Sequence, residues 1–182
     1  VSIFQGLPKA DKMELIIQKS VELGVENIVP VEMKRCVVKL KDKNKKLDRW
    51  QKISEVAAKQ CGRNKIPEVG SVINVENICN LVQDYDIVLL AYENEQKNTL
   101  KNEIQEMKKK IIAYNKDKIR IGVIIGPEGG IDEAEKKELE KSGVKSITLG
   151  KRILRTETVA LNILSIIMYE LEDIGGYNES KV

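Results

Sequence analysis

The 182-residue chain contains no histidine. Histidine is the side chain most often used as a general base near neutral pH, and it is a common metal ligand. Any chemistry in this chain therefore has to use carboxylates, Lys, Arg or backbone groups. The three cysteines, Cys36, Cys61 and Cys79, are odd in number and have no CxxC spacing, which argues against a disulfide framework or a zinc site. These absences predict a metal-free protein of a reducing cytoplasm.

Long apolar segments are also missing. No run approaches the roughly 18 apolar residues that a membrane-spanning helix needs, and the first residues, VSIFQGLPKADK, lack the features of a secretory signal. Hydrophobic residues make up 42% and charged residues 32% of the chain, as in ordinary globular proteins. We expect one domain over residues 1–174, followed by a flexible tail, GGYNESKV, over residues 175–182.

Positive charge is concentrated in one part of the chain. Residues 34–65 hold twelve Lys or Arg and three Asp or Glu, a net charge of +9, whereas the remainder carries −6. A partner with a phosphate backbone requires a basic excess of this kind, but many basic helices are only solvated. Charge alone leaves both interpretations open.

The order of helical and strand patterns predicts a parallel α/β sheet. Helical spacing of apolar residues and short β-branched runs alternate along the chain. The predicted helices cover residues 10–23 and 43–60, and the predicted strands cover residues 25–31, 86–91 and 119–125. A further helix fits between the last two strands, and another follows the second of them. Strands that alternate with helices in this way form parallel sheets.

The last predicted helix starts near Arg155. Its sequence, TVALNILSIIMYELE, is apolar nearly all round and leaves no clean polar face. Such a helix is either central in its domain or covered by a partner chain.

The turn GPEGG, residues 126–130, lies between a predicted strand and a predicted helix. Pro127 fixes its φ, while Gly129 and Gly130 permit positive φ and a close approach to the backbone. The turn matches neither the dinucleotide motif GxGxxG nor the phosphate loop GxxxxGK[ST]. It is either a wall of a ligand site lined by backbone or simply a tight turn that uses glycines.

A second glycine turn, LGKRILRTET, occupies residues 149–158. It crowds polar side chains at the start of an apolar helix, where they need partners. These side chains are Arg152, Arg155, Thr156, Glu157 and Thr158. The alternative is that Thr156 or Glu157 caps the helix and the arginines pair with surface carboxylates.

Several blocks together identify a resemblance that spans essentially the whole chain. The blocks are DKMELIIQKSVELGVENIVPV, RCVVKL, RWQKISEVAAKQCGR, IGPEGGIDEAE and LGKRILRTET. They resemble the RsmE family of 16S ribosomal RNA uridine-N3 methyltransferases. The resemblance implies the SPOUT fold, a parallel α/β sheet with helices on both faces and a C-terminal trefoil knot, and a homodimer. Family members carry an N-terminal PUA-like RNA-binding domain before these blocks, so we expect this chain to correspond to the catalytic domain.

The resemblance also implies a site for S-adenosylmethionine. The cofactor would lie in the knot, held largely by backbone groups of three loops. The residues implied to bind it are Leu90, Ala91, Tyr92, Ile125, Gly126, Glu128, Gly129, Gly130, Leu149, Gly150, Ile153, Leu154, Thr156 and Thr158. No lysine is needed, because this cofactor carries no phosphate.

Methylation of uridine N3 requires loss of the N3 proton, so the enzyme must favour a developing anion. We hypothesise that Arg155 places positive charge beside the uracil oxygens, and that Glu128 or Glu157 accepts the proton. The residues expected to face RNA are Arg35, Gln60, Arg63 and Arg152. Methylation at C5 would instead need a thiolate, and we interpret the one candidate, Cys61, as a small buried residue.

Three alternatives stay open at this stage. A sister enzyme of the same fold could methylate a tRNA or another ribosomal position with a nearly identical cofactor site. A non-catalytic RNA-binding or assembly module could use residues 34–65 as its interface. A nucleotide phosphate binder is the weakest, because Glu128 and Asp132 would repel phosphate at the helix N-terminus.

Overall fold

The computed structural model describes residues 1–114 and 119–171. Within these ranges the chain forms one seven-stranded sheet in which every pairing is parallel. The strands are β1 (Ser2–Gly6), β2 (Asn27–Glu32), β3 (Glu68–Val69), β4 (Ile73–Asn74), β5 (Ile87–Ala91), β6 (Ile121–Ile125) and β7 (Lys145–Ile147). Their order is β3-β2-β1-β6-β5-β7. Strand β3 pairs with the start of β2, and β4 pairs with the end of β2 on the same side. The expected tail, residues 175–182, lies outside the described residues.

The described residues form six α-helices, of which five lie between strands and the last follows β7. They are α1 (Lys12–Glu22), α2 (Lys43–Gln60), α3 (Val75–Leu81), α4 (Leu100–Tyr114), α5 (Glu133–Lys141) and α6 (Thr156–Glu170). Helix α2 begins where Asp42 accepts a hydrogen bond from the Lys45 amide, and α5 begins where Asp132 accepts one from the Ala134 amide. These side chains satisfy amides that the first helical turn leaves without partners.

Helices cover both faces of the sheet. Successive strand residues point to opposite faces, so Ile3, Leu89 and Val123 pack into one core with α1, α2, α4 and α6. Phe4 and Leu90 pack into a second core with α3 and α5. The predicted parallel α/β sheet with helices on both faces is confirmed.

The predicted elements agree with the structure where the sequence pattern is long. The two N-terminal helices, the three predicted strands and the last helix all form within a few residues of their predicted bounds. Gly24 and Gly62 have φ of 91° and 74°, as expected for the residue that ends a helix. Helix α6 is not uniformly buried: Ile163 and Ile167 are fully buried, whereas Ile166 is 36% and Tyr169 66% exposed.

Strand β1 was not predicted from the sequence, although it lies at the centre of the sheet between β2 and β6. Its five residues, SIFQG, are all buried, so they show no alternation of apolar and polar residues. The short helix α3 was also missed, although Asn74 and Asn77 form a reciprocal capping box at its start. Ser2, Gln5 and Gly6 interrupt the apolar run that would have indicated β1, and α3 has only seven residues.

In the part of the chain that the structure describes, no helix is both long enough and apolar enough to cross a membrane. The same residues contain no group of three or more Cys, Asp or Glu side chains placed to hold a metal ion.

Candidate functional site

The three loops expected to form the site come together at one edge of the sheet. They follow β5, β6 and β7, which are neighbours in the order β6-β5-β7. Because the strands are parallel, their carboxyl ends meet at the same edge, where ligands of open α/β sheets bind. A cavity of about 460 Å³ lies there, within the size range of small-molecule sites.

Most of the residues predicted from the sequence to bind cofactor line this cavity. The predicted site residues found on its wall are Ala91, Tyr92, Ile125, Gly126, Glu128, Gly130, Leu149, Gly150, Arg152, Ile153, Leu154, Arg155 and Thr156. The structure therefore brings the three predicted segments onto one surface. Whether each residue contacts a cofactor stays a prediction.

Other predicted residues do not line the cavity. Leu90 is fully buried in the core under α3 and α5, and Thr158 is exposed on α6. Gly129 and Glu157 are not on the cavity wall either, although each has a neighbour in the chain that is. We therefore leave Leu90 and Thr158 out of the site proposed below.

Some wall residues were not found by sequence reasoning. These are Lys12, Glu93, Pro127, Thr148, Lys151 and Val159. Four of them adjoin predicted residues in the same loops. Lys12 is different, because it is the first residue of α1 and lies at the end of the connection from β1, the strand that was not predicted. Recognition of β1 as a central strand would have pointed to this connection, since it also leaves the carboxyl edge of the sheet.

Packing of the protein itself requires the glycines of the GPEGG turn. A Cβ on Gly126 would lie 2.8 Å from Ile131 Cγ1, and one on Gly129 would lie 2.9 Å from the Arg35 carbonyl oxygen. Gly130 has φ of 71°, and a Cβ there would lie 2.6 Å from Glu93 Oε1. By contrast, an added Cβ on Gly150 would meet no atom within 4 Å. Gly150 has φ of 116°, so its backbone conformation already favours glycine, and the open space beside it would admit a ligand.

Backbone hydrogen bonds tie the loops after β5 and β7 to each other. The Tyr92 amide donates to the Ile147 carbonyl at 3.0 Å, and the Thr148 amide donates to the Asn98 carbonyl at 2.8 Å. The Tyr92 hydroxyl donates to Glu133 at the start of α5, and this bond raises the pKa of Tyr92. Tyr92 is thus held as a neutral, fixed part of the cavity wall.

Thr156 joins the start of α6 to the GPEGG turn. Its hydroxyl donates to the Gly126 carbonyl at 2.8 Å and accepts from Gln5 Nε2 at 2.9 Å. Gln5 is fully buried in β1, and its Nε2 also donates to the Gly6 carbonyl at 2.9 Å. The N-cap position of α6 is Arg155, which makes no side-chain capping bond. Thr156 therefore connects elements and does not act as a cap.

Two carboxylates share one lysine beside the cavity. Lys12 Nζ lies 2.9 Å from Glu128 Oε1 and 3.3 Å from Glu157 Oε2. The Lys9 amide also donates to Glu128, at 3.0 and 3.2 Å from its two oxygens. Partial burial favours protonated Glu128, but Lys12 and backbone amides outweigh it and hold the carboxyl pKa below its ordinary value. Glu128 raises the pKa of Lys12 in turn.

The residues predicted to face RNA are in different surroundings. Arg152 lines the cavity, and Gln60 is exposed at the end of α2. Arg35 is exposed and donates to the Gly129 carbonyl at 3.4 Å, so it supports the GPEGG turn. Arg63 donates to the Val21 carbonyl at the end of α1, at 2.9 Å. That bond gives Arg63 a structural role, because it satisfies a carbonyl of the last helical turn.

The prediction that Cys61 is buried is wrong. Cys61 is exposed, because it is the C-cap residue of α2, just past the face that packs on the core. It does not line the cavity. Cys36 is half-buried, and burial raises the pKa of its thiol. Neither position supplies a ready thiolate to the cavity.

Comparison with known proteins gives consistent results. The RNA methyltransferase domain family matches residues 1–168. Ribosomal RNA small subunit methyltransferase E of Bacillus subtilis (strain 168) is 41% identical over 178 residues, which cover 97% of this chain and 68% of that protein. The protein of the same name from Mesomycoplasma hyopneumoniae (strain 232) is 38% identical over 158 residues, covering 86% and 64% respectively.

A solved structure agrees with the fold. The ribosomal RNA small subunit methyltransferase E of Neisseria gonorrhoeae, bound to S-adenosyl methionine, superposes with a TM-score of 0.77 and 31% identity over 92% of this chain and 65% of that one. The parallel sheet is thus of the SPOUT type, while the trefoil knot stays a prediction. The chain spans about two thirds of the length of these relatives. From the match over residues 1–168 and the 41% identity, the chain belongs to the ribosomal RNA small subunit methyltransferase E family of RNA methyltransferases.

Proposed function

We propose that this chain is the methyl-transfer part of an S-adenosylmethionine-dependent enzyme that methylates N3 of a uridine in 16S ribosomal RNA. The observation that carries the proposal is the cavity at the carboxyl ends of β5, β6 and β7, lined by the segments that carry the family resemblance. Such an enzyme acts on the small ribosomal subunit and works in the cytoplasm.

The cavity fits the cofactor by size and by chemistry. Its aliphatic residues, among them Ile125, Leu149 and Leu154, offer apolar contacts, and the loop backbones offer donors and acceptors to a neutral base edge. The open space beside Gly150 leaves room for a bound molecule. When bound, S-adenosylmethionine supplies an electrophilic methyl group on a positively charged sulfur.

Two wall residues, Arg155 and Thr156, and the neighbouring Glu157 have the remaining roles in this proposal. Arg155 lines the cavity and is exposed, so its guanidinium can place positive charge beside the uracil oxygens as N3 loses its proton. Glu157 is the better candidate for proton acceptor, because Glu128 is engaged by Lys12 and by the Lys9 amide. Thr156 fixes the position of the Gly126 carbonyl.

The basic segment over residues 34–65 is the proposed contact with the phosphate backbone of RNA. Its first residues lie against the GPEGG turn and the start of α5. Lys34 Nζ lies 3.3 Å from Asp132 Oδ1, and the Lys34 amide donates to Glu135 Oε1 at 2.9 Å. RNA bound along this segment would therefore reach the cavity mouth, where Arg152 also lies.

The proposed assembly is a homodimer. Ile166 and Tyr169 lie three residues apart on α6 and are 36% and 66% exposed, and Ile153 in the loop before α6 is 84% exposed. Large apolar side chains exposed along a helix and on the loop before it are typical of an interface between copies. Sedimentation equilibrium should give twice the chain mass, and a monomer at micromolar concentration would contradict the assembly.

Methyl transfer to ribosomal RNA tests the function. The full chain is incubated with labelled S-adenosylmethionine and small subunits from a strain that lacks this methyltransferase, and the RNA is mapped by mass spectrometry. We expect one methyl group on N3 of a single 16S uridine. Methylation of tRNA or of another ribosomal position would support a sister enzyme. Absence of cofactor binding by calorimetry, with RNA binding retained, would indicate a non-catalytic module.

A further inference from the structure

Lys12 connects three elements that converge on the cavity. It is the first residue of α1, its ammonium pairs with Glu128 of the turn after β6, and it pairs with Glu157 in the first turn of α6. Lys12 itself lines the cavity. The three side chains are partly buried, with exposures of 29% for Lys12, 24% for Glu128 and 15% for Glu157.

The two carboxylates are held close together by this arrangement. Both have an oxygen within 3.3 Å of the same nitrogen. Two like charges at one partly buried site disfavour each other, so that without a cation one carboxyl keeps its proton to a higher pH. The other charged side chains on the cavity wall are Glu93, Lys151, Arg152 and Arg155. Of the wall cations, Lys12 is the one that the structure pairs with both carboxylates.

The two carboxylates differ in how many of their oxygens accept hydrogen bonds. Glu128 accepts the Lys9 amide on both oxygens in addition to its pairing with Lys12. Glu157 Oε2 is buried and, among the described residues, accepts no hydrogen bond, although it lies within ion-pair distance of Lys12. Glu128 is thus anchored on both oxygens, while the buried Oε2 of Glu157 faces Lys12 and leaves Oε1 as the oxygen open to a proton.

We propose that Lys12 is a positioning residue of the methyl-transfer reaction: its ammonium holds the Glu128 and Glu157 carboxylates side by side, and Glu157 is the one that accepts the proton from the substrate base. In that step the N–H bond of the base breaks, its electron pair stays on nitrogen, and an O–H bond forms on Glu157. This inference rests on the proposed function for the identity of the substrate, but the arrangement of charges can be tested without it.

The activity test uses Lys12→Met, Lys12→Arg and the double variant Lys12→Met/Glu128→Gln. Loss of the ammonium should move the acidic limb of the pH–rate profile by about one unit to higher pH, since one carboxyl now keeps its proton. On that limb kcat should therefore fall by about tenfold, while kcat on the neutral plateau should change less. Lys12→Arg keeps the charge and should keep the profile. Removal of the second negative charge in the double variant should return the acidic limb towards that of the wild type.

The matched control is Lys19→Met on the same helix. Lys19 pairs with Glu22 at 2.8 Å, away from the cavity, so its loss should leave kcat and the pH profile unchanged. An effect of Lys12→Met no larger than that of Lys19→Met, or a double variant with the same shifted profile as Lys12→Met, would overturn the inference.

A second readout needs neither cofactor nor RNA. In urea unfolding at pH 7, Glu128→Gln should destabilise the wild type, because it removes a partner of Lys12, but should stabilise Lys12→Met, because it removes repulsion from Glu157. The same sign in both backgrounds would overturn the charge arrangement. A wild type that transfers no methyl group to 16S ribosomal RNA would overturn the proposed function and leave this sign change as the independent test of Lys12.

Discussion

Thr156 shows how one side chain can hold the cavity together. It is buried, with an exposure of 6%, and its hydroxyl is bonded both to the Gly126 carbonyl and to Gln5. Gln5 and Thr156 lie 151 residues apart in the chain. The bond therefore joins the central strand β1 to the last helix.

Replacement of Thr156 by Val keeps the shape and removes both bonds. The Gln5 amide and the Gly126 carbonyl then lose a buried partner, which costs about 1–3 kcal/mol of unfolding free energy. The matched control is Thr158→Val, since Thr158 is exposed on the same helix, and this change should stay within about 0.5 kcal/mol. Urea unfolding measures both. Equal values for the two variants would mean that the Thr156 bonds contribute nothing.

Arg155 is the residue to which the proposed function assigns positive charge. Arg155→Ala should reduce kcat by about 10²-fold or more, the range seen when a group that stabilises developing charge is removed. Cofactor affinity, measured by calorimetry, should change little, because the charge acts on the substrate base. Arg155→Lys keeps the charge without the planar fork and separates charge from geometry. Unchanged turnover of Arg155→Ala on small subunits would show that the assignment is wrong.

At the scale of elements, the end of β1 and the GPEGG turn fit closely. A Cβ on Gly6 would lie 2.7 Å from the backbone nitrogen of Pro127 and 3.0 Å from the Gly126 carbonyl carbon. Gly6 is not among the glycines with positive φ. Glycine is needed at this position for space, and its conformational freedom is not used.

Gly6→Ala should push the turn away from β1. Because the neighbouring atoms are backbone, we expect a loss of about 1–3 kcal/mol, as for other overpacked sites, together with weaker cofactor binding. Gly70→Ala is the matched control: its Cβ would meet Val29 at an ordinary 3.5 Å, and its φ is also not positive. Chemical denaturation and calorimetry measure the two effects. A Gly6→Ala protein as stable as Gly70→Ala would contradict the close fit.

At the scale of the whole molecule, charge pairing sets the response to pH. Lys65 lowers the pKa of Glu26, Lys136 lowers that of Glu140, and Lys34 lowers that of Asp132. A carboxyl whose pKa is lower in the folded state stabilises the fold above its unfolded pKa, and this contribution is lost as pH falls through the folded value. The chain has no histidine, so no side chain with an ordinary pKa near 6.5 titrates between these carboxyls and the cysteines.

We therefore expect the unfolding free energy to be nearly constant from pH 7 to 5.5 and to fall below about pH 4.5, where carboxyl groups take up protons. Urea unfolding followed by circular dichroism at several pH values measures this. Salt at 0.5 M should flatten the acid dependence, because the pairs are near the surface and are screened. A steep change of stability between pH 7 and 6 would contradict the expectation.

The sequence by itself determined the elements whose signals are local. A helix such as α2 is indicated by apolar spacing, by the Asp42 cap and by Gly62 after its end, all of which act within a few residues of one another. The family resemblance likewise depended on short blocks, and it pointed to the three loops that the structure brings to one cavity. The glycines of the GPEGG turn were recognised, although their reason proved to be packing against Ile131, Arg35 and Glu93.

Only the tertiary structure decided which distant residues meet. Strand β1 pairs with both β2 and β6 through its backbone, and its buried polar residues Ser2 and Gln5 hide it from a search for apolar runs. The sharing of Lys12 by Glu128 and Glu157 follows from that position, since β1 delivers the start of α1 to the edge where the loop after β6 and helix α6 also arrive. Contacts between side chains more than a hundred residues apart in the chain depend on how the sheet and helices pack. Local sequence patterns therefore cannot indicate them.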